Sequence, residues 1–95
     1  MKRNYELMFI IDPQTTPEER KEVVETVNKI LGIVEATDVN VDEWGERKLA
    51  YLINKKSTGY YVLVKFVCEG PQLAEMERRL NIQEKIMRYI VVNQD

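Results

Sequence analysis

An α+β fold, with a four-stranded antiparallel sheet and two helices on one face, is predicted by three features of the 95-residue sequence. Strand-type alternation, rich in β-branched and aromatic residues, runs through Tyr5–Ile11, Arg47–Ile53, Tyr60–Val67 and Ile86–Val92. Two stretches, 17–31 and 72–80, switch to the 3.6-residue period of amphipathic helices. The order along the chain is β-α-β-β-α-β, the ferredoxin-like sandwich, in one domain spanning residues 1–95.

In the first strand, Tyr5, Leu7, Phe9 and Ile11 point one way and Glu6, Met8, Ile10 and Asp12 the other. Asp12-Pro13 ends it, because proline removes a ladder donor and restricts the residue before it. Thr16-Pro17-Glu18-Glu19 opens the first helix: threonine as N-cap, proline at the first helical position, and Glu19 closing a capping box. Val23, Val24, Val27, Ile30 and Leu31 form its apolar stripe, and Gly32 is expected to stop it. Residues 33–43 read as a poorer strand in which Val39 and Val41 alternate with Asn40 and Asp42. Trp44 breaks that parity, so Asp42-Glu43-Trp44-Gly45 is expected to bulge within one long strand continuing to Ile53.

Asn54–Gly59 is polar and ends in glycine, which suits a hairpin loop of several residues. Beyond it Tyr60, Val62, Val64 and Phe66 oppose Tyr61, Leu63, Lys65 and Val67, and Cys68 continues the first series as a buried thiol. Gly70-Pro71 opens the second helix, with Leu73, Ala74, Met76 and Leu80 expected inward, Glu75, Arg78 and Arg79 outward, and Asn81 at its end. In the last strand Tyr89 and Val91 oppose Arg88, Ile90 and Val92.

The charge is segregated. Residues 44–66 carry Arg47, Lys48, Lys55, Lys56 and Lys65 against Glu46 alone, whereas residues 12–43 carry nine carboxylates and three cations, and the whole chain is at −2. A chain of that total gains nothing from its net charge near a polyanion, but a basic end separated by more than a Debye length of about 8 Å acts on its own. The same lysines would also suit a solvated edge protected against pairing with foreign strands.

The inventory argues against catalysis. There is no histidine, the commonest general base and metal ligand. One cysteine cannot form a metal cluster or an internal disulfide, and the single serine has no base beside it. No cofactor or metal is expected. No apolar run approaches the ~20 residues of a membrane span, and the N-terminal residues do not read as a signal peptide; the expected location is the cytoplasm. What remains is the sheet face turned away from the helices. Met8, Ile10, Tyr61, Leu63, Ile90 and Val92 fall there, where an open antiparallel sheet should be polar, and such a patch marks a partner surface. Gly59 to Phe66 loosely echoes the third strand of RNA-recognition motifs, but Leu63 occupies the second position where an aromatic would stack a base.

At Trp44-Gly45, Arg47, Leu49-Ala50-Tyr51, Ile53, Lys55, Gly59 and Tyr61, the sequence resembles the sixth protein of the bacterial small ribosomal subunit. Tyr5-Glu6, Met8–Ile11 and Pro13 match that family's start, and Ile86, Arg88 and Ile90-Val91-Val92 its last strand. The resemblance implies the same fold and a structural role in the central-domain platform of the subunit. It implies binding of small-subunit ribosomal RNA as a pair with the eighteenth small-subunit protein; the free protein is expected to be a monomer. Three features depart from the family's pattern: Leu52 where many members have proline, Glu46 where a basic or apolar residue is common, and no acidic extension after Asp95. Lys2, Arg3, Arg47, Lys48, Lys55, Lys56 and Arg88 are the candidate phosphate contacts, which would position the protein without reading sequence. A reading from another class is a small regulatory or ligand-binding module that self-associates through its sheet.

Overall fold

The computed structural model describes residues 1–53 and 55–95. Among them the chain forms β1 (Lys2–Ile11), α1 (Pro17–Ile33), β2 (Thr37–Ile53), β3 (Lys56–Glu69), α2 (Gln72–Leu80) and β4 (Ile86–Asn93). The strands make one antiparallel sheet in the order β2-β3-β1-β4. This is the ferredoxin-like arrangement expected.

The period-two pattern determines which side of the sheet is dry. Tyr5, Leu7, Phe9 and Ile11 of β1 and Val62, Val64, Phe66 and Cys68 of β3 are all buried. They pack with Val23, Val27, Ile30 and Leu31 of α1 and Met76 and Leu80 of α2 in one core. Full burial of each such side chain is worth roughly 1.5–3 kcal/mol, which outweighs any strand propensity and pins the register. The Tyr5 and Phe66 rings stack with centroids 5.8 Å apart. Burial pushes the Cys68 thiol above its ordinary pKa, so it behaves as a small apolar side chain.

The helix ends show how local chemistry closes each element. Thr16 accepts from the Glu19 amide and the Glu19 carboxylate accepts from the Thr16 amide, the reciprocal box read from the sequence. These bonds and Lys85 hold the Glu19 carboxyl below its usual range. Gly32 is not the stop. The helix runs through Ile33 and ends in a Schellman turn: Ala36 N–H donates to Leu31 C=O and Glu35 N–H to Gly32 C=O, with Glu35 itself left-handed at φ 59°. The tertiary reason is Val34, one residue past the helix, which is 1% exposed and would be pulled from the core by an earlier stop. In α2, Ala74 is exposed, because it lies about 200° round the helix from Met76.

β1 begins earlier than its apolar pattern, since Lys2 and Arg3 pair with Glu69 and Cys68 at the far end of β3. β2 slips register between Glu43 and Gly45, where Gly45 has φ 85°, so the bulge falls where Trp44 breaks the alternation. The hairpin differs from expectation. Lys56 pairs with Ile53 and Gly59 pairs with Arg47, so the strand occupies most of the predicted loop; Asn54, its first residue, lies outside the described residues. Gly59 is a buried strand residue rather than a turn glycine. A Cβ there would stand 2.3 Å from Ile10 Cγ2.

Candidate nucleic-acid interface

The open face is built of rows that cross the sheet at right angles to the strands. The middle row is Leu63, Met8 and Ile90, from β3, β1 and β4. On one side lies Lys65, Glu6 and Val92, with Lys65 and Glu6 paired at 3.6 Å. On the other lies Tyr61, Ile10 and Arg88. The middle row is apolar across three strands: Leu63 and Met8 are half-buried by their neighbours and Ile90 is 60% exposed. Val92 is 44% exposed and Tyr61 half-buried.

Ile10 corrects the expectation of a uniformly open face, for it is buried at 9%. Register explains this. Between Lys48↔Thr58 and Ile53↔Lys56, five steps along β2 are matched by two along β3, so the intervening Leu49–Leu52 leaves the plain ladder. Met87, at the register shift of β4 beside Ile10, and Leu49 both sit over Gly59, Met87 Cε 3.2 Å and Leu49 Cδ2 3.6 Å from where a Cβ would be. Tyr51 reaches across to the opposite edge strand, where the Arg88 guanidinium donates to its hydroxyl and lies 5.5 Å from its ring centroid. The arm thus closes over one corner of the face. Alternation alone could not disclose it, because the arm abandons the ladder that alternation describes.

The seven candidate cations do not form one patch. Arg47, Lys48 and Lys55 are exposed on the hairpin, and Arg88 joins that end through Tyr51. Lys56 is already engaged: its ammonium pairs with Asp12, each side chain about a quarter exposed, and this contact holds the Asp12 carboxyl below its usual range. Lys2 and Arg3 are exposed at the other end of β1, nine and eight steps from Ile11 and so about 30 Å away. Two aromatic side chains outside the predicted set stand out beside the hairpin cations. Tyr51 is 61% exposed and Trp44 is 40% exposed, the latter's indole N–H donating to Asp42 at 3.1 Å. Their place in the Trp44–Tyr51 stretch was the available signal.

Behind the sheet, Arg20 of α1 lies 4.7 Å from the Tyr60 ring centroid and Tyr60 O–H donates to Glu43 at 3.1 Å, fastening helix to hairpin base. Among the described residues no cluster of acidic or sulfur side chains could hold a metal ion, and no helix is long and apolar enough to cross a membrane.

The sequence family described as Ribosomal protein S6 matches residues 4–93. The chain is 53% identical over 93 residues to the small ribosomal subunit protein bS6 of Fusobacterium nucleatum, covering 98% of this chain and 99% of that one. It is 41% identical to the bS6 protein of Thermoanaerobacter pseudethanolicus, covering 98% of each. Among solved structures, 30S ribosomal protein S6 of Thermotoga maritima superposes with a TM-score of 0.92 at 35% identity, covering 99% of this chain and 89% of that one.

Proposed function

The chain belongs to the ribosomal protein S6 family, and on that premise we propose that it binds small-subunit ribosomal RNA in the central-domain platform as a pair with the eighteenth small-subunit protein. Membership makes it a structural, non-catalytic component of the small ribosomal subunit. The observation that supports the finer reading is the juxtaposition on one face: an apolar row, Leu63–Met8–Ile90, running from Asp42 of β2 to the β4 edge, where exposed Arg88 stands two residues from Ile90. The row takes the apolar side of the protein partner. Arg47, Lys48, Lys55 and Arg88 take phosphates at the hairpin end, and Lys2 and Arg3 reach a second stretch of RNA about 30 Å away. Lys56, a quarter exposed, holds the hairpin base to Asp12. Phosphate contacts fix position, and the folded shape of the RNA junction supplies specificity.

With a net charge of −2, the isolated protein releases few counterions and binds RNA weakly. The test is RNA binding at physiological salt by the protein alone, by the eighteenth protein alone, and by the two together, with sedimentation of the free protein alongside. Cooperative binding by the pair and a monomeric free protein are expected. A free protein that self-associates and leaves RNA unbound even with the partner present would overturn the reading.

A further inference from the structure

We propose that Tyr51 and Arg88 form a site for one unpaired nucleotide of RNA, the Tyr51 ring stacking on its base and the Arg88 guanidinium taking its phosphate. The inference rests on the RNA-binding reading above and adds a contact to a base where that reading has only phosphates and shape. Three observations carry it. Tyr51 is 61% exposed, so a face of its ring is open to solvent. The ring is nevertheless held in place. Arg88, on the opposite edge strand, donates through Nη1 to the Tyr51 hydroxyl, and its central carbon lies 5.5 Å from the ring centroid. Arg88 is itself exposed, and among the described residues it makes this one hydrogen bond and no ion pair, which leaves the edge formed by Nε and Nη2 open. The same hairpin carries exposed Arg47, Lys48 and Lys55, which draw a phosphate chain to this end of the face.

A tyrosine ring offers a π-face to any base, and stacking gains most where the ring is ordered before the base arrives. Arg88 supplies that order by holding the hydroxyl end. Its open edge is a planar two-donor fork that matches two phosphate oxygens, and the bond to the phenol leaves the fork intact. The 5.5 Å between guanidinium and ring is comparable with the distance from base to phosphate within one nucleotide, so both groups can engage the same one. A base inside a helix is stacked on both sides and cannot reach the ring. The ligand is therefore a bulged or looped-out nucleotide. The cations of the hairpin favour a nucleotide here over an apolar side chain of the protein partner.

The test is binding of central-domain small-subunit RNA by the protein together with the eighteenth small-subunit protein. Each unpaired nucleotide of the RNA is replaced in turn by an abasic residue, which keeps the phosphate and removes the base. One replacement should weaken binding by the parent roughly five- to a hundredfold. Tyr51→Leu, apolar but without a π-face, should weaken binding of the intact RNA by the same factor and lose nothing further at that abasic position. Tyr51→Phe keeps the ring face and should keep the sensitivity to that position. Arg88→Gln should weaken intact and abasic RNA alike, since both carry the phosphate. A variant that fails to fold loses every RNA equally and cannot imitate the selective pattern. If every abasic position that weakens the parent weakens Tyr51→Leu by as much, the stacking site is overturned. Loss of the protein partner by Tyr51→Leu with RNA absent assigns the ring to the protein interface and overturns it as well. If the parent pair does not bind the intact RNA, the RNA reading itself fails.

Discussion

Of the four glycines, Gly59 is the one with no room for a Cβ. Its neighbour Ile10 carries its near methyl on a branched Cβ inside a strand, so it cannot swing aside as a long flexible chain would. Gly59→Ala overpacks the corner and should cost about 1–3 kcal/mol in denaturant unfolding, against the gain of about 0.5–1 kcal/mol that a glycine replacement in a relaxed strand would bring. Asp12 and Lys56 make a different residue-scale device. The Lys56 ammonium depresses the folded pKa of Asp12. The pair's contribution is therefore complete above about pH 4, the pKa of an unfolded carboxylate, and is lost as pH falls through the lower folded value. Asp12→Asn should destabilise by on the order of 1 kcal/mol at pH 7. Its unfolding midpoint should converge on the parent's as acid protonates Asp12 in both states. A difference that persists undiminished at the acid end would mean the pair is not what Asp12 contributes.

At the scale of the element, the end of α1 separates two readings of one glycine. Gly32 is exposed within the helix, and a Cβ on it would meet nothing within 4 Å. Gly32→Ala should accordingly stabilise the protein by about 0.5–1 kcal/mol through unfolded-state entropy and helix propensity. Were Gly32 the left-handed stop, the same change would destabilise, so the sign of the shift in thermal midpoint decides. Glu35 holds that conformation instead, which costs a non-glycine residue roughly 1–2 kcal/mol and is carried by the burial of Val34 beside it. Local sequence rules name glycine as the stop; packing one turn later moved it.

For the whole molecule, the distribution of charge and apolar surface matters more than its total. Reversing Arg47 and Lys48 together, as Arg47→Glu with Lys48→Glu, should weaken assembly with RNA and partner while leaving the thermal midpoint nearly unchanged, since exposed charges contribute little to stability. Unfolding of that double variant would make the two cations structural. The two sides of β3 give the sharper contrast. Val64 is 1% exposed in the core, so Val64→Asp buries an unpaired carboxylate, a penalty of several kcal/mol that is comparable with the 5–15 kcal/mol stability of a typical domain. Leu63 lies one residue away on the open face, half-buried. Leu63→Asp should leave the domain folded and abolish pairing with the protein partner. Equal loss of folding in both would remove the proposed partner surface from that face.

Periodicity in the chain by itself determined the element order, the helix-facing residues of β1, β3 and β4, the capping box at Thr16, and the bulge before Gly45. Each of these is settled by residues within a turn or a strand of one another, where burial or a local hydrogen bond acts on neighbours in sequence. The Trp44–Tyr61 pattern likewise sufficed to reach the ribosomal protein S6 family. Tertiary structure alone decided that Gly59 is a contact rather than a turn, that Lys56 is paired with Asp12, that Lys2 and Arg3 lie at the opposite end from the hairpin cations, and that Tyr51 reaches Arg88 on the far edge strand. Those partners are separated by 37 to 67 residues along the chain. They meet only because an antiparallel sheet folds back on itself, and a pattern read along one strand carries no information about what another strand lays across it.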